Sequence, residues 1–230
     1  FKFIYFKKDI TKKRLVENWI KKNKLDIVVH LAAIVPIKVV NDNKKKAHKV
    51  NVCGTKNLVN AILQNDNNIK WVFFSSTSHV YSSTKLKIKE NFTIKPISYY
   101  GKTKYLAEKE IMRLKKKDIK FCIGRIFSTT NSNQRKNYLV PDLKRKIKKF
   151  KEPVILENLN HFRDFISVND ISKIIVNLSK KQYNGIVNIA SGKKTKLSEI
   201  AQIISNKFKR KIIIKENKNP SYLIANNNIL

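Results

Sequence analysis

Short apolar runs alternate with stretches of helical periodicity through the first 128 residues. Lys2 to Phe6 reads as a short strand that ends at Lys7-Lys8-Asp9-Ile10-Thr11. Thr11 is placed to cap a helix from Lys12 to about Asn23, in which Leu15, Val16, Trp19 and Ile20 recur on one face. Asp26 to Ala33 is an apolar run closing on small residues, the pattern of a strand buried on both faces of a parallel sheet. Pro36 then breaks the chain, and a helix is expected from about Asn43 to Gln64. Gly54 inside it costs about 1 kcal/mol relative to Ala, which points to close packing or a ligand there. Lys70 to Phe74 reads as the next buried strand, with the hydroxyl-rich Ser75-Ser-Thr-Ser-His-Val-Tyr81 just past its carboxyl end. A polar loop with Glu90 and Pro96 leads to a helix starting near Tyr100, with Leu106, Ile111 and Leu114 on one stripe. Lys120 to Phe127 is a further strand.

This rhythm predicts an α/β fold, a doubly wound parallel sheet. After residue 128 it changes. Ser128 to Asn137 is polar and irregular, Tyr138 to Phe150 reads as a basic helix, and Val154 to Leu156 as a short strand. His161 to Asp170 leads into a helix over Ile171 to Leu178. A strand and turn over Gly185 to Gly192, an amphipathic helix over Lys196 to Phe208 and a strand over Lys211 to Lys215 precede a polar tail. The expected organisation is a domain over residues 1–128 and a smaller substrate lobe over 129–230, with 163–189 packing back on the sheet.

Composition narrows the class. A 230-residue chain with 42% hydrophobic residues can bury a core of globular size. No apolar run approaches the ~20 residues of a membrane-spanning helix. Cys53 and Cys122 lie far apart and outside any metal or disulfide motif, as expected in a reducing, cytoplasmic setting. The net charge of +34 would fit a polyanion binder, but only seven of the 50 basic residues are Arg. Fork-like readers of phosphate and base edges are usually Arg-rich. The lysines therefore read as a solvated surface rather than a nucleic-acid interface.

The candidate chemistry centres on Tyr100-Gly-Lys-Thr-Lys104. Four residues span about one helical turn, ~6 Å, so the phenol and the ammonium share a face. A free phenol, with a pKa near ~10, is a poor base at neutral pH, and a nearby ammonium lowers that value. The pair is a proton-transfer device in outline. Hydroxyls at the carboxyl end of a parallel strand, as in Ser75 to Thr77, stand where open α/β sheets bind ligands.

Taken together, Asp9-Ile10, His30-Leu-Ala-Ala33, Asn51 with Gly54-Thr55, Ser75 to Tyr81, Tyr100 to Lys104, Arg125-Ile-Phe127, Arg163 to Asp170 and Asn188 to Gly192 occur in an order that resembles the extended short-chain dehydrogenase/reductase family. The branch is that of the NAD-dependent epimerases and dehydratases acting on nucleotide sugars. The resemblance covers nearly the whole chain and implies a Rossmann-like fold and NAD or NADP as cofactor. It further implies a nucleotide-sugar substrate and a homodimer formed through the helices holding Asn51 and Tyr100. By the same resemblance Tyr100 is the acid/base, Lys104 lowers its pKa and holds the nicotinamide ribose, and Thr77 hydrogen-bonds the reacting sugar oxygen. Asp9 and Ile10 flank the adenine, while Leu31, Ala32, Ala33 and Ser75 line the cofactor. Asn51 steadies the sheet edge, Phe127 and Ser128 border nicotinamide and sugar, and Arg163 pairs with a nucleotide phosphate.

Two departures qualify what the resemblance implies. No Gly-x-x-Gly-x-x-Gly run occurs among only 5 glycines, so the first strand and the phosphate-binding loop of the family are expected to be missing. Residues 1–230 alone are then expected to hold dinucleotide weakly. Thr77 is followed by Ser78 and His79, where the dehydratases carry Asp-Glu and the decarboxylases Ser-Glu, so water elimination lacks its usual base. An epimerase or a 4-keto-sugar reductase fits best. The alternative is a degenerate, non-catalytic relative that binds nucleic acid or another polyanion through its lysines.

Overall fold

The computed structural model describes residues 2–35, 37–65, 68–131, 134, 138–215 and 219–226. The expected break at Pro36, much of the irregular stretch to Asn137 and the end of the tail lie outside them. In chain order the elements are α1 (Lys13–Lys22), β1 (Ile27–His30), α2 (Ile37–Asp42), α3 (Lys44–His48), a π-helical turn (Lys49–Cys53), α4 (Gly54–Gln64), β2 (Trp71–Thr77), α5 (Tyr99–Met112), β3 (Lys120–Ile126) and β4 (Ser128–Thr130). There follow α6 (Leu139–Lys149), β5 (Val154–Glu157), β6 (Phe162–Arg163), β7 (Phe165–Ser167), α7 (Val168–Lys180), β8 (Gly185–Ile189), β9 (Thr195–Lys196), α8 (Leu197–Phe208), β10 (Ile212–Lys215) and β11 (Tyr222–Leu223).

Two compact units are woven from non-contiguous segments. The first comprises 1–80, 96–125 and 175–187, and the second 81–95, 126–174 and 188–230. In the first, the sheet has the order β1-β2-β3-β8, and β1 runs parallel to β2 with Ile27 opposite Trp71 and His30 opposite Phe74. Val16 and Ile20 of α1, Leu58 and Ile62 of α4, Val72 and Phe74 of β2, and Ile111 and Leu114 beside α5 fuse into one core. Trp71 is fully buried, and its indole N–H donates to the Tyr183 carbonyl at 2.9 Å. In the second unit α6 and α8 close over the parallel β5–β10 pair, burying Leu143, Ile147, Val154, Leu156, Ala201 and Ile204. Among the described residues no helix is long and apolar enough to cross a membrane.

Several expectations are corrected. Lys2 to Phe6 is not a strand, because pairing is decided by a partner and no described ladder includes it. Phe6 instead packs edge-on against Trp19, with ring centroids 5.3 Å apart. Thr11 does not cap α1: the cap is Lys12, and the Thr11 amide donates to the Asp9 carboxylate at 2.8 Å. β1 is not buried on both faces, since it ends the described sheet and Val29 is 43% exposed. The helix expected over 43–64 is broken by the π turn and preceded by the unforeseen α2. β2 continues to Thr77, so the hydroxyls of Ser75 and Thr77 sit in the strand rather than beyond it. Ser128–Thr130, read as irregular, is β4, parallel to β7. The polar tail contains β11, parallel to β6.

Candidate active site

Helix α5 begins where the Ser98 hydroxyl accepts the Gly101 amide at 3.0 Å, an N-cap that starts the helix at Tyr99. Its inward face is Tyr100, Thr103, Lys104, Ala107, Glu108 and Ile111, all buried. Half of that face is polar, and Leu106, assigned to the buried stripe from the apolar pattern, is only half-buried. The ring of Tyr100 packs in a small cluster with Val40 and Ala47.

Lys104 is 2% exposed, and its Nζ lies over the Phe74 ring, 4.1 Å from the centroid. Among the described residues it has no hydrogen-bond acceptor. Burial pushes its pKa down to about 7, and the Glu108 carboxylate one turn later acts in the opposite direction. His30 also lies beside Phe74, the ring centroids 5.4 Å apart. The Thr55 hydroxyl donates to the Asn51 carbonyl at 2.7 Å, so it accepts from His30 Nε2–H at 2.9 Å. The proton therefore sits on Nε2, and burial, with Lys104 nearby, brings the His30 pKa down to about 3, which leaves the ring neutral at neutral pH.

Asn51 ties three elements together. From the π turn its side chain accepts the Ile34 amide at 2.7 Å and donates to the Ile34 carbonyl at 3.1 Å and to Thr103 Oγ1 at 3.0 Å. A π turn widens the helix locally and is often found at functional sites. Here it lets one amide fix the loop after β1, which carries Leu31, Ala32 and Ala33, to the turn of α5 between Tyr100 and Lys104. The end of β2 reaches the same turn. Thr77 Oγ1 accepts the His79 amide at 3.3 Å, and the His79 carbonyl packs on Gly101. A Cβ on Gly101 would stand 2.1 Å from that carbonyl oxygen, so only glycine permits this approach. Gly101→Ala is therefore expected to destabilise the protein by ~2–4 kcal/mol and to lower activity, as urea unfolding and turnover measured on the same sample would show. A variant as stable as the parent would contradict the contact.

The remaining predicted residues fall as follows. Ile10 is buried against Gly54, whose added Cβ would meet its Cγ2 at 2.6 Å, so Gly54 serves close packing. Asp9 is exposed, and the Thr11 amide holds its carboxyl below the usual range. Leu31 and Ala32 are exposed and Ala33 half-buried, while Ser75 is half-buried and Thr77 buried in β2. Phe127, Ser128 and Arg163 belong to the second unit. Phe127 is buried and donates its amide to the Ile189 carbonyl, and the Ser128 amide donates to the Asp164 carbonyl. Arg163 and Asp164 do not pair. The guanidinium donates to the carbonyls of Phe162 and Ser221 at 2.8 and 3.0 Å and to Ser221 Oγ at 2.9 Å. Asp164 accepts instead from the Ser191 and Gly192 amides at 2.8 and 2.9 Å. Asp164 lies between β6 and β7, and its carboxylate turns to the backbone amides of Ser191 and Gly192.

One buried cluster escaped the sequence reading. Glu108 accepts from Ser76 Oγ, from Arg125 Nε at 3.1 Å and from Arg125 Nη2 at 2.8 Å, and all three residues are buried. The available signal was Glu108 at helical spacing from Tyr100 and Lys104, with Arg125 inside an otherwise apolar strand.

A family model described as GDP-mannose 4,6 dehydratase matches residues 1–227. GDP-6-deoxy-D-talose 4-dehydrogenase of Aggregatibacter actinomycetemcomitans is 32% identical over 212 residues, 91% of this chain and 71% of that protein. A putative UDP-glucose 4-epimerase of Methanocaldococcus jannaschii is 30% identical over 190 residues, 80% of this chain and 61% of its own length. The crystal structure of Thermus thermophilus UDP-glucose 4-epimerase in complex with NAD superposes with a TM-score of 0.83 at 19% identity, over 96% of this chain and 75% of that one. That structure has the Rossmann fold expected from the alternation of strands and helices. The chain belongs to the NAD-dependent epimerase/dehydratase branch of the extended short-chain dehydrogenase/reductase family.

Proposed function

We propose that the protein is an NAD- or NADP-dependent nucleotide-sugar epimerase or 4-keto-sugar reductase that moves a hydride at a sugar carbon, with Tyr100 as acid/base. The observation that carries this reading is Lys104, a buried ammonium one turn from Tyr100 with no acceptor among the described residues. Its N–H groups are donors without an acceptor there, and the ribose hydroxyls of a dinucleotide are acceptors of the right kind. The residues thus fit the cofactor, which when bound supplies the hydride acceptor and donor. Leu31, Ala32, Ala33 and Ser75 would line it, Asp9 and Ile10 would flank its adenine, and Phe127 would border the nicotinamide.

The proton moves between the reacting sugar oxygen and the Tyr100 phenol, while Thr77 holds that oxygen and Lys104 favours the phenolate. Ser128 borders the sugar. Arg163 keeps N–H groups on Nε and Nη2 for a nucleotide phosphate after its three internal bonds. Burial brings its pKa down to about 10, which leaves it charged at neutral pH. The relative named as a 4-dehydrogenase supports chemistry at the sugar 4-position, and the relatives named as epimerases support the same carbon. Elimination of water is not part of the proposal. Next to Thr77 stand Ser78 and His79, and the His79 imidazole is engaged with Ser98 Oγ at 3.2 Å.

The test uses the full-length protein and nucleotide sugars deuterated at C4. Return of label to an inverted C4 identifies an epimerase. Loss of label to the oxidised cofactor, with reduction of the matching 4-keto sugar in the reverse direction, identifies a reductase. No movement of label with any UDP-, GDP- or dTDP-linked hexose would overturn the reading. Lys104→Ala is expected to weaken cofactor binding and to shift the acid limb of the pH–rate profile to higher pH, since the phenol loses its cationic neighbour. Calorimetric titration and a pH series of kcat/KM check the two effects. An unmoved acid limb would remove Lys104 from its assigned role.

A further inference from the structure

We infer that Glu108, clamped by Arg125 and Ser76, is a positioning residue for the Tyr100–Lys104 pair: an electrostatic brace that sets the helix turn against the strand end carrying Thr77 and supplies the negative charge facing Lys104. The inference rests on the functional reading above. It stands on geometry. One carboxylate is bonded by the strand residue beside Thr77 and by a guanidinium from the adjacent strand, and it lies one helical turn beyond Lys104. Ser76, Glu108 and Arg125 are each no more than 2% exposed, so the two charges and the one hydroxyl of the brace act at low dielectric.

The brace joins β2, β3 and α5, three of the elements that bound the candidate site in the first unit. Movement of α5 by a fraction of an ångström along the sheet would misalign the Glu108 fork before it changed any apolar contact. Planar bidentate pairing of this kind fixes direction as well as distance. A buried pair is weak evidence for stability on its own, because apolar replacements of equal volume are often as stable. Its presence behind Tyr100 and Lys104 is better explained by what it does to them.

Among the described residues few charged and titratable groups are placed near Lys104. On its own helix they are Tyr100 and Glu108. From β1 comes His30, neutral and itself influenced by Lys104. From β3 comes Arg125, which reaches Glu108 rather than Lys104. β2 contributes the uncharged Phe74 and Ser76. Glu108 is thus the group that favours the ammonium against the cost of burial. Removing its charge makes Lys104 lose its proton at lower pH, and activity that needs the ammonium is then lost earlier as pH rises.

The experiment is a pH series of kcat/KM for Glu108→Gln beside the parent, with Tyr100→Phe assayed in parallel. The alkaline limb of Glu108→Gln is expected about one pH unit lower than that of the parent. An isosteric amide that merely loosens packing would lower kcat without moving the limb. Glu108→Gln removes the charge that Arg125 Nε and Nη2 are bonded to and can fail to fold, so the double variant E108Q/R125M is measured as well, with the limb expected to move in the same direction by a smaller amount because loss of the guanidinium offsets part of the effect. An unmoved limb in whichever of the two folds, while Tyr100→Phe is inactive, overturns the brace and spares the functional reading. Near-parental turnover of Tyr100→Phe would instead overturn the reading on which the brace rests.

Discussion

Tyr100→Phe is expected to lower kcat by ~100- to 10,000-fold with KM almost unchanged, the span attributed to a positioned proton-transfer group. Equal loss in kcat and kcat/KM is the signature of an interaction made only in the transition state. The ring of Tyr100 is buried with Val40 and Ala47, and phenylalanine keeps that ring. The fold should therefore hold, with unfolding free energy within about 1 kcal/mol of the parent. Single-turnover kinetics with a 4-keto nucleotide sugar would separate the chemical step from release. Retention of a tenth or more of the parental rate would mean that another group moves the proton. His79 would then be the first to examine, since its ring lies edge-on to Tyr100 with centroids 6.0 Å apart.

How much of this was legible in the sequence depends on which interactions are local. α1 could be read because Val16 and Ile20 recur at helical spacing and both are buried. The helix carrying Tyr100 and Lys104 could be read because Ile111 and Leu114 recur at helical spacing and both are buried. The strands around Trp71 and Phe121 could be read because continuous apolar runs have few other homes. Lys2 to Phe6 looked the same, yet a strand exists only through a partner. β4 was missed for the opposite reason, since Ser128, Thr129 and Thr130 carry no apolar signal and pair with Phe165 to Ser167 far along the chain. The π turn shifts hydrogen bonds by one residue and leaves composition untouched, so nothing forecast that Asn51 would face Ile34 and Thr103. The Glu108–Arg125 pair inverts the usual pattern, with charges on faces that periodicity assigns to the core. The fold was legible as a rhythm. The candidate site was legible as a spacing, and the contacts that hold it were not, because they join residues distant in sequence.

Lys104→Met is expected to raise stability while abolishing most activity. The argument is one of charge burial. Lys104 is 2% exposed, and its ammonium rests on the Phe74 ring and has no hydrogen-bond acceptor among the described residues. Its pKa is about 7 in the folded protein against an ordinary value of 10.5. The unfolded chain therefore binds more protons at this site between those two values, and stability rises with pH across that window. Below pH 7 the folded state carries the full cost of the buried charge, and towards pH 10.5 the cost disappears. Methionine has a similar length and no charge. It forfeits the cation–π contact, about 0.5–2 kcal/mol, and leaves Glu108 with one cationic neighbour fewer. The net gain is expected at ~1–3 kcal/mol near pH 7, in the range seen when buried ionic groups give way to apolar ones. For a chain of this size that is a melting temperature higher by roughly 2–4 °C per kcal/mol. The gain should shrink as the melts are repeated at pH 8, 9 and 10, which is the sign that distinguishes relief of a buried charge from better packing. A structural lysine would show the reverse, with Lys104→Met melting lower than the parent at every pH. Higher stability with lost turnover would mark Lys104 as a residue kept for chemistry at the expense of the fold.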